Sequence, residues 1–164
     1  MMKYTGQLIA YALFAAVVGL FSIWPTYRMI GEQEALISVS FSHAARLLGE
    51  CRTLTQEELN ALPPNMRKPT SCPRGRHPVY LELRSDGEVI FSATAVPAGI
   101  WSDGKSNIYH RVRIPTGRHE IFIGMSDSGN GSVFDYRKSE VLDIAPGQNL
   151  VVTFDSMTNA FGFE

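Results

Sequence analysis

Hydrophobic and polar positions change their spacing twice along the chain, and the three regimes predict three kinds of structure. From Leu8 to Trp24 the sequence reads LIAYALFAAVVGLFSIW, with no charge in it. With Gly6, Gln7 and Pro25 the stretch reaches about twenty residues, enough to cross a hydrocarbon core of roughly 30 Å at about 1.5 Å per residue. Tyr4 and Tyr11 flank one side, Trp24 and Tyr27 the other, in the manner of an interfacial aromatic belt. Pro25 predicts the helix end near Trp24, because the residue before a proline is disfavoured in the α region. A cleaved signal peptide would have a shorter apolar region, of roughly 7–15 residues, and a small-x-small cleavage site after it. The residues after Trp24, PTYRMIGEQEA, offer no such site near the helix end. An uncleaved anchor is the expectation, with tail and helix over residues 1–27 and a juxtamembrane linker over 28–34.

Beyond the linker the period becomes two. Ile37, Val39 and Phe41 alternate with Ser38, Ser40 and Ser42, which predicts a strand with one apolar and one hydroxyl face. Residues 43–78 then break the pattern with Pro63, Pro64, Pro69, Pro73 and Pro78. One short helix is expected at 55–61, where Thr55 and Glu58 stand at capping-box spacing and Pro63-Pro64 terminates it. So long a connection is uncommon in a compact domain and is frequently a working surface. After Pro78 strands predominate. Residues 79–84 and 88–95 flank Asp86-Gly87, a hairpin signal. Residues 107–114 and 118–125 flank Pro115-Thr116-Gly117, 126–132 form a loop tip, and 136–144 pair with 149–154 around Ala145-Pro146-Gly147. The last residues add an edge strand. Seven or eight short strands with regular turn signals predict a mainly β fold over 35–164, an antiparallel Ig-like or transthyretin-like sandwich.

Composition narrows the function classes. The formal net charge is −1, and no basic stripe is present to neutralise phosphates, so no nucleic-acid partner is expected. Among basic residues, Lys3 and the α-amino group precede the helix and Arg28 follows it. That bias puts the N-terminus in the cytoplasm and the domain outside it. Cys51 and Cys72 are an even count for an oxidising compartment, where a bridge would close a loop of roughly twenty residues. The alternative is a pair of buried free thiols in a cytosolic domain. Within the anchor, Ala12, Ala15, Ala16 and Gly19 form small-xxx-small pairs of the kind that let membrane helices approach closely.

No residue set predicts catalysis, cofactor binding or a metal centre. His43, His77, His110 and His119 stand at no metal-ligand spacing, and there is no serine elbow or SxxK pair. A soft copper site built from His110, His119 and Met125 would require 107–114 and 118–125 to form a hairpin. Asp86, Asp103 and Asp127 have turn-like neighbours, and turn chemistry accounts for them. The stretch 127–130 lacks the repeated acids of calcium loops. Trp101, Tyr109, Phe134 and Tyr136 are candidates for an aromatic groove, with Trp101 in a loop rather than a strand.

Two units, residues 114–121 (IPTGRHEI) and 144–152 (IAPGQNLVV), resemble the turn-to-strand punctuation of PEGA-type and transthyretin-like periplasmic sandwiches over roughly the last ninety residues. The stretches 49–52 (GECR) and 62–67 (LPPNMR) resemble membrane-anchored proteins of bacterial respiratory gene clusters. That resemblance implies a single-pass inner-membrane protein with a periplasmic domain. It would be a non-catalytic accessory subunit beside other integral membrane subunits, with an oxidase or electron-transfer complex as the preferred assembly. Arg52, Asn65, Met66, Arg67 and Trp101 are the candidate partner contacts. The alternative is a free-standing tethered module for a small ligand, glycan or peptide.

Overall fold

The computed structural model describes residues 2–24, 30–131 and 133–164. Pro25, Tyr27 and Arg28, and the side chain of Lys3, lie outside it. The chain divides into two compact units, Met1–Gly31 and Glu32–Glu164. The first is one helix, α1 (Met2–Ile23). Its stretch Tyr4–Ile23 is long and apolar enough to cross a membrane, with a mean hydropathy of 2.0. Its apolar side chains, including Leu13, Phe14, Leu20 and Phe21, are exposed. Ala12, Ala15, Ala16 and Gly19 are three and four residues apart and so share one strip of the helix.

In the second unit the strands are β1 (Glu34–His43), β2 (Arg52–Thr53), β3 (Thr70–Ser71), β4 (Val79–Ser85), β5 (Glu88–Ala95), β6 (Ser106–Pro115), β7 (Gly117–Ser126), β8 (Tyr136–Ile144), β9 (Asn149–Asp155) and β10 (Ala160–Phe163). Eight of them form two four-stranded sheets, ordered β10-β9-β1-β6 and β5-β4-β7-β8. One apolar core joins the sheets in a sandwich-like arrangement. Ile37 and Val39 of β1 and Val152 of β9 come from the first sheet; Leu81 and Leu83 of β4 and Ile121, Ile123 and Met125 of β7 come from the second. These are inner strands, and their alternate residues point inward as period two demands. β5, an edge strand, has no fully buried residue.

The Asp86-Gly87 hairpin is present, with φ of 51° and 85° at the two turn residues. Both lie in the left-handed region that glycine adopts without a Cβ penalty. The two other expected hairpins are not formed. β6 pairs with β1 over its whole length, whereas β7 pairs with β4 and β8, so Pro115-Thr116-Gly117 is a corner where the chain changes sheets. Likewise β8 pairs with β7, while β9 pairs with β1 and β10. The β1–β9 pair is parallel, an exception to the expected antiparallel pattern. The turn at 145–148 returns the chain to the end where β1 starts, with Gly147 N–H donating to Glu34 O and Leu36 N–H to Gln148 O. β9 can then only run alongside β1 in the same direction.

Residues 43–78 form an ordered arm. Leu47 bridges Arg76, Cys51 is bonded to Cys72, and the two-residue ladder β2–β3 follows. The tip holds a short helix, α2 (Gln56–Ala61), and a 3-10 turn, Pro64–Met66. The capping box forms as expected: Glu58 N–H donates to Thr55 Oγ1 and Thr55 N–H to Glu58 Oε2. Neither tip element has a buried residue. The bridge therefore stabilises the arm rather than the core. Cys51→Ser/Cys72→Ser is expected to leave the urea midpoint of the β domain nearly unchanged. Proteolysis within 52–71 should accelerate at least about tenfold, since local opening would no longer be opposed by a closed loop. A large fall in the urea midpoint with unchanged proteolysis would contradict this division.

Candidate functional cleft at the loop end of the sandwich

Four connections meet at the end of the sandwich where β1 finishes: the arm, the β5–β6 loop, the β7–β8 loop and the β9–β10 turn. Between them lies a cleft of about 560 Å³ lined by residues including His43, Arg46, Arg76, Lys105, Asp127, Tyr136 and Ser156. His43 is the last residue of β1, and its ring turns inward because odd positions of that strand face the core. It is 5% exposed, and Asp127, just past β7, is 2% exposed. His43 Nε2 lies 2.8 Å from Asp127 Oδ2. Arg46 Nε sits 3.2 Å from Asp127 Oδ1, an ion-pair contact without hydrogen-bond alignment, and Arg46 Nη2 is 3.2 Å from Asp135 Oδ1. The His43 ring packs edge-on against Phe154 and Tyr136.

Asp135 organises the β7–β8 loop. One oxygen accepts from the Ser128 hydroxyl and from the Asp127 and Ser128 amides. Burial opposes its ionisation, but these donors and the Arg46 charge outweigh it and hold the carboxyl below the usual aspartate range. Phe134 then folds across Gly124 of β7, where a Cβ would lie 2.6 Å from the ring. That close approach is what requires glycine there.

Ser156 Oγ lies 3.4 Å from His43 Nδ1, which completes a Ser-His-Asp sequence of contacts. An acyl-transfer site also needs donors aimed at a developing oxyanion. After Ser156 the donors turn elsewhere: Met157 N–H and the Thr158 hydroxyl both donate to Asp155. The geometry suits a latch tying β1, the β7–β8 loop and the β9–β10 turn together.

Arg76, at the base of the arm, donates from Nη1 to Ala45 O and from Nε to Asp103 O, and its own N–H donates to Ser102 O. These bonds tie the β5–β6 loop to the arm. That loop carries Ile100, 97% exposed, and Trp101, 67% exposed.

The sequence-derived candidates are distributed as follows. Cys51 and Cys72 are bonded. Arg52 pairs with Glu58 within the arm, and Arg67 donates to Leu62 O and Asn60 O at the end of α2. Asn65 and Met66 stand exposed in the 3-10 turn, and Trp101 is in a loop as expected. His110, His119 and Met125 do not gather. His110 stacks on Phe91 at 4.0 Å, His119 Nδ1 is 2.6 Å from Asp86 Oδ2, and Met125 is fully buried in the core. Nor do the four candidate groove aromatics share an environment. Phe134 stacks on Tyr80, Tyr136 packs by His43, and Tyr109 is exposed on β6 beside Arg111. Among the described residues no group of His, Cys, Asp and Glu is arranged to hold a metal ion.

Sequence reasoning missed His43, Asp127 and Arg46. The available signal was His43 continuing the Ile37, Val39, Phe41 series, which places a polar ring on the inward face. No family model, curated protein or solved structure gives a significant match to the chain.

Proposed function

We propose that α1 anchors the protein in a bacterial inner membrane with the N-terminus cytoplasmic. On this reading the β domain works in the periplasm as a non-catalytic docking subunit of a membrane protein assembly. The observation that carries it is the arm. It is held rigid by a disulfide, a ladder and two helix caps, yet its tip elements bury nothing within their own domain. Ordering a segment costs about 1–2 kcal/mol per residue in backbone entropy, and a surface that buries little repays little of that cost. Met66, Ile100 and Trp101 add exposed apolar area of the kind enriched at the centre of protein interfaces. A respiratory oxidase or other electron-transfer complex is the preferred assembly, following the resemblance of residues 49–52 and 62–67. The cleft beside His43 favours a second reading, a free-standing tethered module for a small ligand, glycan or peptide.

The test is purification of the full-length protein in mild detergent, with mass spectrometry of whatever is recovered in stoichiometric amount. Membrane subunits are expected with the unaltered protein. Met66→Ser/Trp101→Ser should lower their recovery about tenfold or more, the effect of removing an interface anchor. A lone monomer from the unaltered protein sinks the accessory reading and transfers the weight to the tethered module.

A further inference from the structure

We infer that the cleft beside His43 receives an acidic segment of the partner protein, with Arg76 and Lys105 as the groups that meet its carboxylates. The inference rests on the docking reading and specifies what enters the docking surface.

Its first support is the uneven distribution of charge. Over the whole chain 15 Lys and Arg face 16 Asp and Glu. Residues 43–78 alone hold six Lys and Arg against three Asp and Glu, so the arm is basic and the remainder acidic. Within the cleft the imbalance sharpens. Asp127 is engaged by His43 and Arg46, and Arg46 is shared with Asp135. Arg76 is satisfied by main-chain carbonyls, which align the guanidinium without cancelling its charge. Lys105 makes no ion pair among the described residues. Two cations thus flank a concave site in which the carboxyl group is already taken.

A second support is the shape of the site, a cleft with Arg76 and Lys105 among its lining residues. Concavity selects the occupant. Guanidinium and ammonium groups on the walls of a cleft suit a narrow chain that can enter it, whereas a flat lipid surface would meet exposed lysines and arginines on a convex face. Ile100 and Trp101, in the loop whose Ser102 and Asp103 carbonyls accept from Arg76, are exposed and apolar, which fits an acidic segment carrying an aromatic or aliphatic residue.

The experiment uses the full-length protein in phosphatidylcholine nanodiscs. Trp24→Phe leaves Trp101 as the sole tryptophan of the chain's two. Its emission is followed while the acetylated peptide Glu-Glu-Phe-Glu-Glu is added; the probes for comparison are Lys-Lys-Phe-Lys-Lys, inorganic phosphate and phosphatidylglycerol vesicles. A saturable change with the acidic peptide alone is expected, weakened at least about tenfold by Lys105→Glu and by raising salt from 50 to 500 mM, as charge pairing requires. Equal binding to the Lys105→Glu variant overturns the inference. So does the same emission change with phosphate, which would mean a simple anion site, or with the vesicles, which would mean a lipid contact. If the peptide fails to bind while Met66→Ser/Trp101→Ser still releases a co-purifying subunit, the acidic occupant is wrong and the docking reading survives. If that variant releases nothing, the docking reading itself has failed.

Discussion

Asp127→Ala is expected to destabilise the β domain by about 1–3 kcal/mol, the range for leaving a buried hydrogen-bonding group without its partner. Asp127 is almost fully buried, lies against His43 and Arg46, and accepts weakly from the Tyr136 hydroxyl at 3.4 Å. Alanine would leave the His43 ring nitrogen buried and facing no acceptor, while Arg46, which is mostly exposed, could turn to water. The loss is therefore concentrated on His43. Asp127→Asn retains the shape and one acceptor and should cost clearly less. Urea unfolding of the full-length protein in detergent, followed by far-UV circular dichroism at constant m, measures both. In the double variant with His43→Ala the effects should be far from additive, because both act on the same contact. A loss below about 1 kcal/mol for Asp127→Ala would mean that the latch contributes little to holding the loop end together.

A charge in the middle of α1 is expected to have the other large effect. Ala15→Arg places a guanidinium near the centre of Tyr4–Ile23, where insertion scales assign a cost of about 2.5–3.5 kcal/mol. That corresponds to roughly a hundredfold shift in the insertion equilibrium. Alkaline carbonate extraction should move the variant from the membrane pellet into the supernatant and leave the unaltered protein in the pellet. The intact mass provides a second check. An uncleaved anchor keeps the full 18.2 kDa, and a signal peptide would remove the apolar segment from it. Recovery of only the shortened species would end the anchor proposal, whatever the extraction showed.

The elements that local chemistry specifies were legible in the sequence. The apolar run of α1, the alternation of β1, the capping box of α2 and the Asp86-Gly87 turn each depend on residues within a few positions of one another. What could not be read was pairing. Pro115-Thr116-Gly117 has the composition of a hairpin turn, but whether two strands stay in one sheet or cross to the other depends on which inner faces need covering. Ile114 and Ile121 both turn into the shared core, from opposite sheets. The hairpin that a copper site of His110, His119 and Met125 would have required is likewise absent, because the corner sends β6 and β7 to different sheets. Asp127 illustrates the limit for the cleft. Its neighbours Ser126, Ser128 and Gly129 read as a polar loop tip, and its buried partner, His43, comes from a distant strand. Local sequence reports the turn but not what folds over it.

The parallel pairing of β1 with β9 has a consequence for how the chain is made. β1 is the first strand to be synthesised and an inner strand of its sheet, and both of its neighbours come much later. β6 ends at Pro115, and β9 begins at Asn149, whose side chain accepts from the Ser38 hydroxyl across 111 residues of sequence. Until those residues emerge, the apolar face of Ile37, Val39 and Phe41 has no sheet to join, and both hydrogen-bonding edges of β1 are open. Such non-local closure slows folding and exposes edges prone to intermolecular pairing. Completion of the sandwich therefore waits for the last sixteen residues of the chain. In the cell, the nascent domain depends on whatever shields a bare strand until the chain is finished, and its yield should be set as much by that protection as by the stability of the finished fold.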